Sequence, residues 1–291
     1  MGSVDYHYFA TLTRTGGDAG TDSVVNLIVT SDGTDIFDHR FEDSRQEDQE
    51  RGKVNLYKME GRISDATVRV GILGDDAWEP ELLFLWSTDE RADDPSRRIV
   101  PLKIETDVQT KLSTNDPGAA QSMPIRSTAN PELRVPVQRL LLIVETVQDS
   151  SDSGVSFGSG MVLAPDAVAD SGTDDEIRLQ VVANGALVLD EVIGDTPQDD
   201  LEPDQVNIYF IPVAIPFTRE GLEKDAIRLS IRGSDAWRPR SLFVFGLFVR
   251  GERTYVMPLV HEDPWVQGSL STDSNEGQSQ VILPLEVMPS L

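Results

Sequence analysis

Gly74-Asp75-Asp76-Ala77-Trp78-Glu79-Pro80 runs into the apolar stretch Leu82-Leu83-Phe84-Leu85-Trp86. At a distance of 159 residues, Gly233-Ser234-Asp235-Ala236-Trp237-Arg238-Pro239 runs into Leu242-Phe243-Val244-Phe245-Gly246. Working outward, two further landmarks recur in the same order. Upstream, Ala19-Gly20-Thr21-Asp22 precedes the alternating run from Val24, and Ser171-Gly172-Thr173-Asp174 precedes the one from Ile177, 152 residues apart. Downstream, Leu112-Ser113-Thr114-Asn115-Asp116 is matched 158 residues later by Leu270-Ser271-Thr272-Asp273-Ser274. A constant order with shifting offsets is the signature of one domain written twice with loops of different length. Each copy has roughly 140 residues, enough for its own core.

Short runs rich in β-branched and aromatic residues fill both copies, with Gly, Pro and Asp clusters between them. In the first copy they cover residues 6–13, 24–29, 53–59, 66–73, 82–87, 98–104 and 121–125, with an edge strand over 36–41 inside an acidic loop read as 35–52. In the second they cover residues 140–147, 177–183, 186–192, 205–210, 226–231, 242–250, 254–259 and 280–285. No segment shows a helical apolar stripe of three turns. The fold class expected is all-β: two tandem antiparallel β-sandwiches of about eight strands each. The boundary falls near Arg126-Ser127-Thr128-Ala129-Asn130-Pro131, so residues 1–130 form the first sandwich and 131–291 the second, which carries a long loop at residues 148–171. Leu140-Leu141-Leu142-Ile143-Val144 is apolar without alternation, as in a strand covered on both faces: either an ordinary central strand or one that also meets the first domain.

The chain has 291 residues, no Cys and three His. That excludes disulfides, thiolate nucleophiles and Cys-held metals. His7, His39 and His261 show no metal-ligand spacing. A net charge of -25 opposes nucleic acid and anionic membrane surfaces as partners. Arg outnumbers Lys twenty to five, and with abundant Asp this fits either a surface for salty water or an acidic face with a specific partner. The start Met1-Gly2-Ser3-Val4-Asp5 lacks the basic and apolar regions of a secretory signal, and no run of 18 apolar residues occurs. A soluble cytoplasmic protein is expected, with export by a signal-free route left open.

Two motifs hold the candidate site residues. Asp22 and Asp174 sit at the mouth of a strand after a glycine. There a carboxylate serves either a calcium site, together with Asp18 and Asp75 or Asp76 in the first copy and Asp170 and Asp235 in the second, or the backbone of a turn. In Asp76-Ala77-Trp78 and Asp235-Ala236-Trp237 the indole is either an exposed ring for a membrane interface or a sugar, or a plug in the open end of the sandwich while Asp holds turn amides. No nucleophile elbow, phosphate-binding loop or paired-His motif is present, so a catalytic role is not expected.

These stretches resemble a PLAT domain, the lipoxygenase-homology β-sandwich. In the first copy the likeness rests on Phe9-Ala10-Thr11-Leu12-Thr13-Arg14-Thr15-Gly16, on Ala19 through Leu27, and on Thr67-Val68-Arg69-Val70-Gly71-Ile72 followed by Trp78 and the strand to Trp86. In the second it rests on residues 142–146, 171–179, 227–231 and 237–244. The resemblance implies an eight-stranded sandwich that binds proteins or lipid surfaces, often beside an enzyme, with calcium in some members near the aspartate matched by Asp22 and Asp174. Two departures stand out. The tryptophan loop is compressed to residues 74–80, and no catalytic domain accompanies the pair, which points to another protein as the partner. The functional expectation is a non-catalytic protein-binding or assembly module. The alternatives are a structural component of a larger particle and calcium-dependent binding of a lipid or carbohydrate surface.

Overall fold

The computed structural model describes residues 5–17, 19–31, 34–41, 49–60, 63, 67–89, 98–128, 135–147, 172–193, 201–233 and 235–286. The loop expected at residues 148–171, with Asp18 and Asp170, lies outside them. The chain divides into two compact units, Met1–Pro131 with Phe248–Pro258 and Glu286–Leu291, and Glu132–Leu247 with Leu259–Leu285.

The first copy comprises β1 (Asp5–Thr13), β2 (Val24–Ser31), β3 (Thr34–Phe41), β4 (Val54–Glu60), β5 (Thr67–Leu73), β6 (Ala77–Trp78), β7 (Pro80–Asp89), β8 (Arg98–Thr106), β9 (Leu112–Ser113) and β10 (Ser122–Pro124). Its two sheets have the orders β4-β1-β7-β8 and β10-β5-β2-β3, and β6 pairs with β9 in a small ladder of its own. Every named pairing is antiparallel. The period-two pattern explains the packing: Val68, Val70 and Ile72 of β5 and Val25, Leu27 and Val29 of β2 turn inward. They meet Phe9, Leu83, Leu85 and Trp78 in one cluster. Burying each such side chain stabilises the fold by about 1.5–3 kcal/mol before chain entropy is counted.

The second copy comprises β11 (Val137–Thr146), β12 (Glu176–Ala183), β13 (Ala186–Ile193), β14 (Val206–Phe217), β15 (Leu222–Arg232), β16 (Pro239–Arg250), β17 (Arg253–Glu262) and β18 (Gln280–Leu283). Its sheets run β14-β11-β16-β17 and β13-β12-β15-β18. Matched by landmark, these are the same two orders as in the first copy, so both sequence repeats adopt one topology. Ile177, Leu179, Val181 and Ala183 alternate inward along β12. Asn184-Gly185, with φ of 51° and 73°, forms the tight turn from β12 to β13, as an Asn-Gly pair does when both residues need positive φ.

The apolar runs without alternation are inner strands. Leu82 through Trp86 on β7 and Leu140 through Val144 on β11 are all fully buried, and both strands have a hydrogen-bonded neighbour on each side. Two details differ from the expected strands. The run expected to end at residue 210 continues to Phe217, through Pro212 and Pro216. Proline withholds a ladder donor, and β14 tolerates it because it is an edge strand. A single 3-10 turn, Arg219–Gly221, then leads to β15, which is also longer than its first-copy counterpart β5. The four extra residues of β15 and five of β14, less two in the shorter connection between them, account for the shift in offset from 152 to 159. Among the described residues no helix is long and apolar enough to cross a membrane.

Candidate functional site

All three repeated motifs meet at one end of each sandwich. In the first copy Trp78 pairs with Leu112 and Ala77 with Ser113 in the β6–β9 ladder, and the Thr114 hydroxyl donates to the Gly74 carbonyl. In the second, Trp237 and Leu270 bridge and exchange both backbone hydrogen bonds, and the Thr272 hydroxyl donates to the Gly233 carbonyl. Ser113 and Ser271 each accept backbone N–H groups of their own loop, from Asn115 and Asp116 and from Asp273 respectively. The Gly-Asp-Ala-Trp and Leu-Ser-Thr stretches therefore recur together because they hydrogen-bond to each other.

Both indoles are fully buried. Trp78 Nε1–H donates to Thr13 Oγ1 at 2.9 Å, and Trp237 Nε1–H donates to Thr146 Oγ1 at 3.2 Å. Of the two alternatives for these tryptophans, burial agrees with the plug and not with an exposed ring for a membrane or a sugar: neither indole reaches solvent, and the one polar atom of each is satisfied at the end of the first strand of its copy. A buried indole needs such an acceptor, and a threonine hydroxyl provides one while keeping its own proton for another partner.

That proton leads to a group that the sequence did not reveal. Thr13 Oγ1 donates to the Gln49 carbonyl at 3.3 Å, and the Thr21 N–H donates to the same oxygen at 3.2 Å. In the second copy Thr146 Oγ1 and the Thr173 N–H converge in the same way on the Leu201 carbonyl, at 3.4 and 3.3 Å. Gln49 and Leu201 both have left-handed backbone, with φ of 62° and 65°, and both are buried. Gln49 belongs to the acidic loop expected over residues 35–52, yet its side chain is buried, accepts from Thr11 Oγ1 and donates to Tyr57 Oη. Gln49-Glu50-Arg51-Gly52 and Leu201-Glu202-Pro203-Asp204 share one residue in four, so the repeat here lies in backbone shape.

The Gly-Thr-Asp steps are turns that tie this assembly to the tryptophan loop. Thr21 Oγ1 accepts the Ser23 N–H, and Thr173 Oγ1 accepts the Asp175 N–H, each at 3.0 Å. Asp22 contributes its backbone N–H to Asp76 Oδ2 at 3.2 Å, while the Asp76 N–H donates to Ser23 Oγ at 3.1 Å. In the second copy Asp175 stands where Ser23 does and accepts the Asp235 N–H at 2.6 Å; Asp235 Oδ1 in turn accepts the Ala236 N–H. Glycine opens each tryptophan loop for a steric reason. Gly74 and Gly233 have φ of 138° and 152°, and a Cβ would stand 2.3 Å from Ser23 Oγ and 1.8 Å from Asp175 Oδ1.

Of the carboxylates in the calcium reading, Asp18 and Asp170 lie outside the described residues, and the others hold loop N–H groups or stand exposed. Calcium needs six to eight oxygens, whereas Asp76, Asp175 and Asp235 each accept a loop N–H, and Asp22 and Asp174 lie exposed at the turns. No three His, Asp or Glu side chains are grouped to hold a metal among the described residues. One charged feature is special to the second copy. Beside Thr146, the Glu145 carboxylate pairs with Arg240 Nη1 at 3.2 Å and accepts the Ser241 hydroxyl at 3.0 Å. Burial nevertheless pushes its carboxyl above the usual carboxylate range, and Asp263 and Asp204 push the same way. Glu105 is likewise raised by burial, against its contacts with Arg126.

A different kind of surface lies along one side of the second sandwich. β14 carries no charged residue from Val206 to Phe217, in a chain that is 26% charged. Pro212, Ala214, Ile215 and Pro216 on it are exposed. β14 runs beside β13, the edge strand of the other sheet, where Leu187 and Val192 are exposed as well. The corresponding edge strands of the first copy, β3 and β4, include Asp35, Asp38, Arg40, Lys58 and Glu60. β13 keeps Asp190 and Glu191 exposed, so the uncharged stretch is confined to β14, whereas its first-copy counterpart β4 carries Lys58 and Glu60. No family model, curated protein or solved structure matches the chain.

Proposed function

We propose that this chain is a non-catalytic protein-binding or assembly module, built from two PLAT-like sandwiches of which the second makes the contact. The uncharged edge strand β14 carries the reading. Exposed edge strands invite pairing and are ordinarily blunted by charge, and contiguous exposed apolar side chains mark interaction surfaces. Here Pro212 and Pro216 limit strand addition, while the exposed side chains of β14 stay apolar. A surface of this kind suits side-chain packing against another protein better than it suits nucleic acid or an anionic membrane, which the net charge of -25 repels. The three repeated motifs, by contrast, are absorbed by internal hydrogen bonds and need no ligand to explain them.

The test is purification under native conditions with Ile215→Lys and, as a control on a different edge strand, Ile282→Lys. Both side chains are about half exposed, at 56% and 46%, so neither change disturbs the core. A stoichiometric partner held by the parent chain and by Ile282→Lys, but lost by Ile215→Lys, is the expected result. A partner retained by Ile215→Lys would remove this strand from the reading. Recovery in a large regular particle would favour the structural-component alternative.

A further inference from the structure

We draw no further inference here: the strongest candidate, the aromatic edge where the rings of Phe37, His39 and Phe41 of β3 meet in series beside Tyr57 of β4, is a half-buried sheet edge, and nothing in the structure shows what covers it.

Discussion

Removing the Thr13 hydroxyl tests the central claim about the repeated motifs. Thr13→Val keeps the β-branched shape on a fully buried strand residue and deletes the acceptor that sits 2.9 Å from Trp78 Nε1. The indole N–H is then buried without a partner, which costs about 1–3 kcal/mol. The Gln49 carbonyl loses one donor but keeps the Thr21 N–H, so no second orphan adds to that figure. Trp78→Phe removes the N–H itself, together with part of a core side chain. In the double variant nothing is left unpaired, so the two changes should be coupled by about 1–3 kcal/mol, with the double variant more stable than the sum of the singles predicts. Urea denaturation of the four proteins, followed by far-ultraviolet circular dichroism, measures the cycle. The same cycle with Thr146→Val and Trp237→Phe should give a smaller coupling, because that contact is 3.2 Å long. If the single changes add to within about 0.5 kcal/mol, the hydroxyl is not the indole's acceptor and the argument fails.

Gly233→Ala is expected to destabilise more than Gly251→Ala, since both glycines have positive φ but only at Gly233 would a Cβ strike a side chain, Asp175. The excess should exceed about 1 kcal/mol in the same denaturation assay, and equal losses would show that the loop gives way freely. A native Glu145 pKa raised above its unfolded value means that the folded chain binds the proton more tightly. This group therefore opposes folding when ionised, and its contribution improves as pH falls through the native pKa towards the ordinary carboxylate value. Glu145→Gln should accordingly show its most favourable stability relative to the parent near neutral pH, with the advantage shrinking on acidification; a difference that stays flat with pH would contradict this. Millimolar calcium at constant ionic strength should leave the melting temperature unchanged, because a ligand raises it only by binding the folded state. A calcium-dependent rise that Asp22→Asn or Asp174→Asn abolishes would establish the metal reading.

Much of the architecture was legible because β-structure writes itself in local pattern. Alternation placed β2, β5 and β12, unbroken apolar runs marked the inner strands β7 and β11, and the repeated landmarks announced one topology used twice. The landmarks also named the residues that gather at one end of each sandwich, but could not say what they do. Whether Trp78 and Trp237 face water or the core depends on Thr13 and Thr146, which lie 65 and 91 positions away in the chain. The turns at Gln49 and Leu201 escaped notice because a backbone carbonyl imposes almost no choice of side chain and neither positive φ is marked by the glycine or asparagine that usually adopts it, so the two copies could drift apart in sequence and keep the bond. The extension of β14 was hidden by its prolines, which argue against a strand unless the strand is known to be an edge. The sequence by itself therefore determined the elements and their duplication, since those follow from periodicity and turn chemistry within a few residues. Only the tertiary structure decided burial, hydrogen-bond partners and the place of the uncharged β14 at an exposed sheet edge, because each of these depends on groups brought together from distant parts of the chain.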